Sequence, residues 1–388
     1  MRYGAARTRG EAMTGQPLAG VRVLDFSTLL PGPLATLMLA EAGAEVIKIE
    51  RPGRGDEMRS YAPKFGADSV NFALLNRGKR SIAIDLKDPL AAARLLPFVV
   101  AADVLVEQFR PGVMDRLGLG YERLKALNPR LVYCAITGYG QSGPRAQEAA
   151  HDLNYVAETG LLGLAAGANG APALPMALVA DIAGGAYPAV LNILLALKAR
   201  DLTGQGCKLD IAMTDNLFTF MYWAIGNGLA AGEWPKPGGE LVTGGSPRYQ
   251  IYRTADDQFV AAAPLEQKFW NHFCAAIGLE ATLRDDTRDP TVVARAVAER
   301  IRAQPASHWR NAFAGKDVCA CIVNTVQEAL ADSHFIERGL FARRLVADGR
   351  QIPALPVPVV AEFRGTTVDA GYPSLGEDNA LLGPQSAT

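Results

Sequence analysis

Two short segments of this chain carry the residue types that proton transfer at a carbon centre requires. The first is Ala150-His151-Asp152-Leu153-Asn154-Tyr155, and the second, further along, is Val179-Ala180-Asp181-Ile182-Ala183-Gly184-Gly185. Together they supply one imidazole and one carboxylate, each set among small residues that let a ligand approach closely. Imidazole titrates near neutrality, so it can serve as a base at working pH. A base and an acid held on opposite sides of a carbon can take a proton from one face and return one to the other. Plainer readings stand beside this one. His151-Asp152 falls at a loop-to-helix junction and could cap a helix. Asp181 lies in an otherwise apolar stretch, where a carboxylate is costly unless it caps a helix or does chemistry. As a cap it would sit at a helix N-terminus, which lowers a carboxylate's pKa and offers amides to an anion. The other histidines, His272, His308 and His334, occupy amphipathic helical contexts and read as surface or core-edge residues.

The elements that must position these groups alternate in type. Residues 21–26 read as a strand, 34–42 as a helix ended by Gly43, and 45–50 as a second strand, with Pro31 and Pro33 at the helix entrance. Strands at 81–86, 103–107 and 131–137 follow, separated by helices at 89–99 and 121–128. A long Gly/Ala-rich helix then runs over 181–198 and a strand over 208–212. Alternation of this kind predicts a parallel sheet covered by helices, a Rossmann-like α/β domain. The first turn reads Ser27-Thr28-Leu29-Leu30-Pro31-Gly32-Pro33 and lacks the G-x-G-x-x-G fingerprint, which argues against a dinucleotide enzyme. Residues 227–247, rich in Gly and Pro, read as a loop. Strands at 249–252 and 258–263, with helices at 267–277, 291–303 and 306–313, predict a smaller α+β domain. The expected division is a flexible N-terminal extension at 1–16, a large domain at 17–224 and a small domain at 225–330. A C-terminal segment at 331–388 then returns to the large domain.

With 388 residues, 49% hydrophobic and 20% charged, the chain is long enough for two cores. Its 39 Lys+Arg against 40 Asp+Glu, a net charge of -1, give no nucleic-acid footprint and no polybasic membrane patch. No uninterrupted apolar run has the length of a membrane span, and residues 1–16 lack the apolar core of a signal peptide. Cys134, Cys207, Cys274, Cys319 and Cys321 include a C-x-C pair but no zinc-site spacing. Reduced thiols in the cytoplasm are therefore expected, with no metal.

From about Leu18 to Pro356 the chain resembles the family III CoA-transferase (CaiB/BaiF) superfamily, and within it the α-methylacyl-CoA racemases. The motifs are Pro31-Gly32-Pro33, Glu50-Arg51-Pro52-Gly53, Arg77-Gly78-Lys79-Arg80-Ser81 with Asp85-Leu86-Lys87, and Phe109-Arg110-Pro111-Gly112-Val113. Gly138-Tyr139-Gly140-Gln141-Ser142-Gly143-Pro144, the His151 and Asp181 segments, and Tyr252-Arg253-Thr254-Ala255-Asp256 follow in order. The resemblance implies an interlocked homodimer acting on an acyl-CoA thioester, with no cofactor beyond the coenzyme A of the substrate. It implies that His151 and Asp181 each serve one face of the α-carbon, and that Glu266 of the small domain orients the histidine. Positions matching Arg51 and Ile84-Asp85-Leu86-Lys87 would contact CoA. Leu29, Leu30, Gln108, Phe109 and Arg110 would line the same site, with Ala150, Asp152, Leu153, Asn154 and Tyr155 around the histidine. In the transferase branch Asp181 would instead be a nucleophile passing through an aspartyl-CoA thioester, and the Gly-rich run 238–245 resembles that branch's mobile loop. A non-catalytic CoA-binding protein is the third alternative. CoA phosphates would account for Arg51, Arg77, Lys79, Arg80 and Lys87 in an otherwise neutral chain. Arg248 stands where racemases commonly carry an apolar or aromatic residue, which predicts a more polar acyl pocket suited to a carboxylated acyl group.

Overall fold

The computed structural model describes residues 15–167, 170–287 and 289–383. The expected N-terminal extension therefore lies, save Gly15 and Gln16, outside the described residues. The described residues form two compact units: those up to Tyr155, Leu178–Leu217 and those from Ile336 onward in the first, and those within Val156–Ala177 and Phe218–Phe335 in the second.

The first unit is built on strands β1 (Arg22–Asp25), β2 (Glu45–Glu50), β5 (Arg80–Ala83), β6 (Val104–Glu107), β7 (Val132–Thr137) and β8 (Lys208–Ala212). A small hairpin, β3 (Lys64–Phe65) and β4 (Asp68–Ser69), falls between β2 and β5. The six-stranded sheet runs β5-β2-β1-β6-β7-β8, with every pair parallel. Taken in chain order, this is the doubly wound arrangement 3-2-1-4-5-6. Its central strands are buried on both faces; all six residues of β7 are buried, whereas the edge strand β8 exposes Lys208 and Asp210. Leu24, Ile47, Ile82, Leu105 and Tyr133 pack against Leu95 and Val99 of the helix Ala91–Ala101. Winding direction reverses between β1 and β6, and a crevice opens there beyond their carboxyl ends.

The helix expected over 181–198 begins with a π-helical turn, Ala180–Ala186, and continues as an α-helix, Tyr187–Thr203. At 24 residues it is long and apolar enough to cross a membrane by length and composition. Here it packs against β7, β8 and the helix Pro31–Glu41. The C-terminal stretch adds a sheet of β12 (Arg344–Ala347), β13 (Arg350–Pro353) and β14 (Asp369–Ala370). It returns to the large sheet, where Asp378 accepts from Arg80 and from the Ser81 N–H.

In the second unit β9 (Gln250–Arg253), β10 (Phe259–Ala262) and β11 (Ala320–Ile322) form an antiparallel sheet. Its core joins Trp270, Phe273, Val297, Ile301, Trp309 and Phe313 from three helices. One expectation fails: residues 227–231 are not loop but the end of a helix, Tyr222–Ala231. The glycines misled because one of them serves packing. A Cβ at Gly228 would lie 2.4 Å from the Trp234 ring, so only glycine lets the indole rest on the helix.

Candidate active site

A cleft of about 450 Å³ lies at the winding reversal of the first unit. Its walls come from the segments that follow β1 (Thr28, Leu29, Pro31), β6 (Gln108, Phe109, Arg110) and β7 (Thr137, Gly138, Tyr139). Ala150, His151, Asn154, Tyr155 and Asp181 complete it. One concavity thus unites the imidazole and the carboxylate with Leu29, Gln108, Phe109, Arg110, Ala150, Asn154 and Tyr155, whereas Leu30, Arg51, Ile84, Asp85, Leu86, Lys87, Asp152 and Leu153, also assigned to the ligand, do not line it.

The β1 exit is held by buried charge. Lys48 and Asp56, both fully buried, form a 3.0 Å ion pair. Lys48 donates to the Ser27 carbonyl at 2.7 Å, and Asp56 accepts from the Leu29 N–H at 3.1 Å. Leu29 is thereby kept at φ 61°, a left-handed conformation costly for leucine that persists only where surroundings impose it. Gln108 closes the other side, its carbonyl oxygen accepting from the Gly32 N–H at 2.8 Å. Under the β6 exit, burial pushes the Glu107 carboxyl up to about 7, although it accepts from the Phe109 N–H at 2.7 Å.

His151 is exposed on the cleft wall. Its backbone N–H donates to Asn154 Oδ1 at 3.0 Å, and the Tyr155 hydroxyl donates to the Ala150 carbonyl at 2.9 Å. The Tyr155 ring rests on Gly138, where a Cβ would come within 2.4 Å of it. The segment carrying the imidazole is therefore locked from both ends.

Asp181 is not the helix cap that the sequence suggested. It sits inside the π-helical turn, and Val179 occupies the cap position. The cap is Asp152, buried, whose Oδ1 accepts the Asp181 N–H at 2.9 Å. This reverses the expected electrostatics. Burial first, and the Asp152 carboxylate second, push the Asp181 carboxyl up to about 7. Among the described residues its side chain has no hydrogen-bond or ion-pair partner. The turn needs its glycines: a Cβ at Gly184 would lie 2.5 Å from the Met213 carbonyl, and Asn216 Nδ2 satisfies the Gly184 carbonyl at 2.8 Å. Single π turns inside α-helices are rare and gather at functional sites.

The basic residues divide. Arg51, with Arg54 and Lys64, lines a second cavity of about 490 Å³, pairs with exposed Glu57 and donates to the Gly55 carbonyl. Lys87 is exposed on the turn after β5, where Asp85 accepts its N–H, and Ile84 is buried in the core. Arg77 and Lys79 are corrected: both are buried. Arg77 binds Glu41 at 2.8 Å, and Lys79 binds Asp25, Thr36 and Asn76. Burial alone would raise Asp25, but Lys79 and Lys48 hold it well below the usual carboxylate range. These two cations stabilise the fold and have no room for a phosphate. Arg80, half exposed, is likewise taken by Glu45 and Asp378.

Glu266 lies in the second unit, exposed, at the position before the helix Gln267–Ala276, and its side chain does not cap that helix. Arg248 is also corrected. Its guanidinium donates from Nε and Nη2 to the two carboxylate oxygens of Asp286, each at 2.7 Å, so it is no free cation for a carboxylated substrate.

Sequence reasoning assigned no role to Thr28, Glu107, Thr137 and Met213. Each follows or ends a parallel strand, the positions where doubly wound sheets place ligands. That rule was available from the strand pattern. Thr137 Oγ1 is buried in the cleft wall with no partner among the described residues.

Residues 18–379 match CoA-transferase family III. The chain is 35% identical to mouse alpha-methylacyl-CoA racemase over 93% of its own length and 91% of that protein. It is 32% identical to the acetyl-CoA:oxalate CoA-transferase of Acetobacter aceti, over 94% and 95%. A solved CAIB/BAIF family protein from Brucella suis superposes with a TM-score of 0.80 at 30% identity, covering 95% of this chain and 98% of that one. With a matching doubly wound sheet and a match over nearly its whole length, the chain belongs to CoA-transferase family III.

Proposed function

We propose that this protein is an α-methylacyl-CoA racemase, interconverting R and S 2-methylacyl-CoA thioesters by two-base proton transfer through an enolate. The carrying observation is the pairing in one cleft of an accessible imidazole, His151, with a carboxyl, Asp181, that is half protonated near neutral pH. A carboxyl of that pKa can give a proton and take one back at the same pH, as a reversible acid–base pair requires. Relatives described as racemases at 35% identity support the reading.

In this mechanism Arg51 and Lys87 hold the phosphates and adenosine end of CoA, and the β1 and β6 exits carry its pantetheine toward the cleft. His151 removes the α-proton of the S thioester. Charge moves to the thioester oxygen, which needs oriented donors as it develops; the unpartnered Thr137 hydroxyl is one. Asp181 then protonates the opposite face, giving the R thioester, and the reverse reaction exchanges the two roles. Glu266 orients the imidazole and fixes its tautomer. We assign the working form to an interlocked homodimer. Leu191, Leu194, Leu195 and Leu202, exposed along the helix Tyr187–Thr203, support it. Five free cysteines support a reducing compartment, the cytoplasm; thiol titration of protein isolated without reductant checks this.

The transferase reading keeps one observation in its favour: relatives of 32% identity are CoA-transferases. Acyl-CoA incubated in deuterated water separates the two. A racemase incorporates deuterium at the α-carbon and loses that activity on His151→Ala and on Asp181→Ala. No incorporation, together with CoA exchange between acids and a hydroxylamine-trapped adduct on Asp181, overturns the racemase and installs the transferase.

A further inference from the structure

We infer that Arg248 is a positioning residue that fixes Glu266, with Asp286 as its anchor. The inference deepens the proposed function and rests on the role given there to Glu266.

Arg248 spends its donors on two jobs. Nε and one terminal nitrogen grip the two oxygens of Asp286, each at 2.7 Å. The remaining donors reach the residues on either side of Glu266: Nη1 donates to the Leu265 carbonyl at 3.2 Å, and Nη2 donates to Gln267 Oε1 at 2.9 Å. The guanidinium carbon lies 5.2 Å from the Trp270 ring centroid, and that ring is itself fixed by its N–H on the Arg284 carbonyl at 2.8 Å. Both members of the pair are largely buried, with side chains 15% and 13% exposed, so their geometry is rigid and little screened.

Glu266 itself has no such support. It is exposed and makes no cap bond to its helix. A long carboxylate side chain on a loose loop would sample many orientations and orient nothing. Here the backbone that carries it is clamped at the preceding carbonyl and at the following side chain by one planar fork. Lysine could not reproduce this, because a single ammonium lacks the fixed geometry to hold Asp286 side-on and reach both flanks. The unusual cation at 248 is therefore explained by a task two steps from substrate.

The test compares Arg248→Met, Asp286→Asn and Glu266→Gln, with deuterium wash-in measured separately on S and R thioesters and folding followed by thermal midpoint. The imidazole serves the S face, so Arg248→Met should slow S-face exchange roughly 10- to 100-fold, the usual cost of a misplaced catalytic group, while R-face exchange stays within about 3-fold. In a Glu266→Gln background it should cost nothing further. Asp286→Asn, which keeps a hydrogen bond to the arginine, should show the same face preference more weakly and covers the case in which Arg248→Met fails to fold. Wild-type S-face exchange in a folded Arg248 or Asp286 variant, or equal loss on both faces, overturns the inference while Glu266→Gln still impairs the S face. If Glu266→Gln changes neither face, the role given to Glu266 fails, and this inference with it.

Discussion

Replacing Asp181 by asparagine should make the protein more stable and less active, and the stability gain should depend on pH. In the folded protein the Asp181 carboxyl titrates near 7, against 3.8 for an unburied aspartate. A raised pKa means that folding disfavours the charged form. Well below pH 3.8 the side chain is protonated in both states, and asparagine, a neutral near-isostere, should leave stability unchanged. Between 4 and 7 the unfolded chain ionises while the folded one resists, so wild-type stability falls as pH rises. Above 7 the full penalty is present. At about 1.4 kcal/mol per unit, the shift corresponds to at most about 4 kcal/mol. Partial access to water reduces this to about 1–2 kcal/mol. For a unit of this size each kcal/mol is worth about 2–4 °C in midpoint. Thermal denaturation of the ligand-free protein across pH 4.5 to 8.5 reads the effect. Asp181→Asn should differ least from wild type at the acid end and exceed it by several degrees at pH 8.5. A variant less stable than wild type at pH 8.5, or a difference that does not change with pH, would refute the desolvated-carboxyl account. The same variant should lose R-face exchange, so stability and activity move in opposite directions, as at other strained functional sites.

Arg51→Ala and Lys87→Ala should each weaken CoA binding by about 1–3 kcal/mol, the range for charge-assisted hydrogen bonds; calorimetry that finds unchanged affinity in both removes them from the site. Gly138→Ala would push a methyl group to within 2.4 Å of the Tyr155 ring. It should destabilise the first unit by about 1–3 kcal/mol and slow S-face exchange more than R-face exchange, because Tyr155 holds the Ala150-His151 backbone; urea denaturation and wash-in read the two effects. Light scattering at micromolar concentration should give a dimer, and a monomer there would contradict the assignment.

What the sequence revealed was what local pattern encodes. The strand at 45–50 was read to the residue because Gly43 ends the helix before it and Arg51-Pro52-Gly53 breaks the chain after it, with Val46, Ile47 and Ile49 as its apolar positions. The order of strands and helices then led to the doubly wound sheet, and the sheet rule to the cleft. What escaped detection was pairing over long sequence separations. Arg77 and Lys79 look like a phosphate site in a charge list, yet Glu41 and Asp25, far upstream, neutralise them in the core. Arg248 looked free until Asp286 was found against it. The reading of Asp181 as a cap failed for the same reason, since the residue that caps its turn is Asp152, on another element. Periodicity also cannot distinguish a π turn from an α turn, because both keep apolar residues on one face.

The balance between racemase and transferase rests on how Asp181 is solvated. A nucleophilic carboxylate must be ionised at the moment of attack, and a site built for that work would place a cation or donors beside it to bring its pKa down. Here the surroundings do the opposite: burial and the Asp152 carboxylate both favour the protonated form, and among the described residues no cation offsets them. A thioester filling the cleft would expel water and push the carboxyl further in the same direction. A larger protonated fraction then stands ready to meet the enolate, although each such carboxyl is a weaker acid, and removal of the proton from the R thioester still draws on the ionised fraction. His151 supplies the complementary base on the same wall, a group that the transferase mechanism leaves without a task. With a carboxyl that titrates at about 7 and an imidazole on the same wall, the cleft holds two groups able to exchange protons near neutral pH, and α-deuterium incorporation is the measurement that separates the racemase from the transferase.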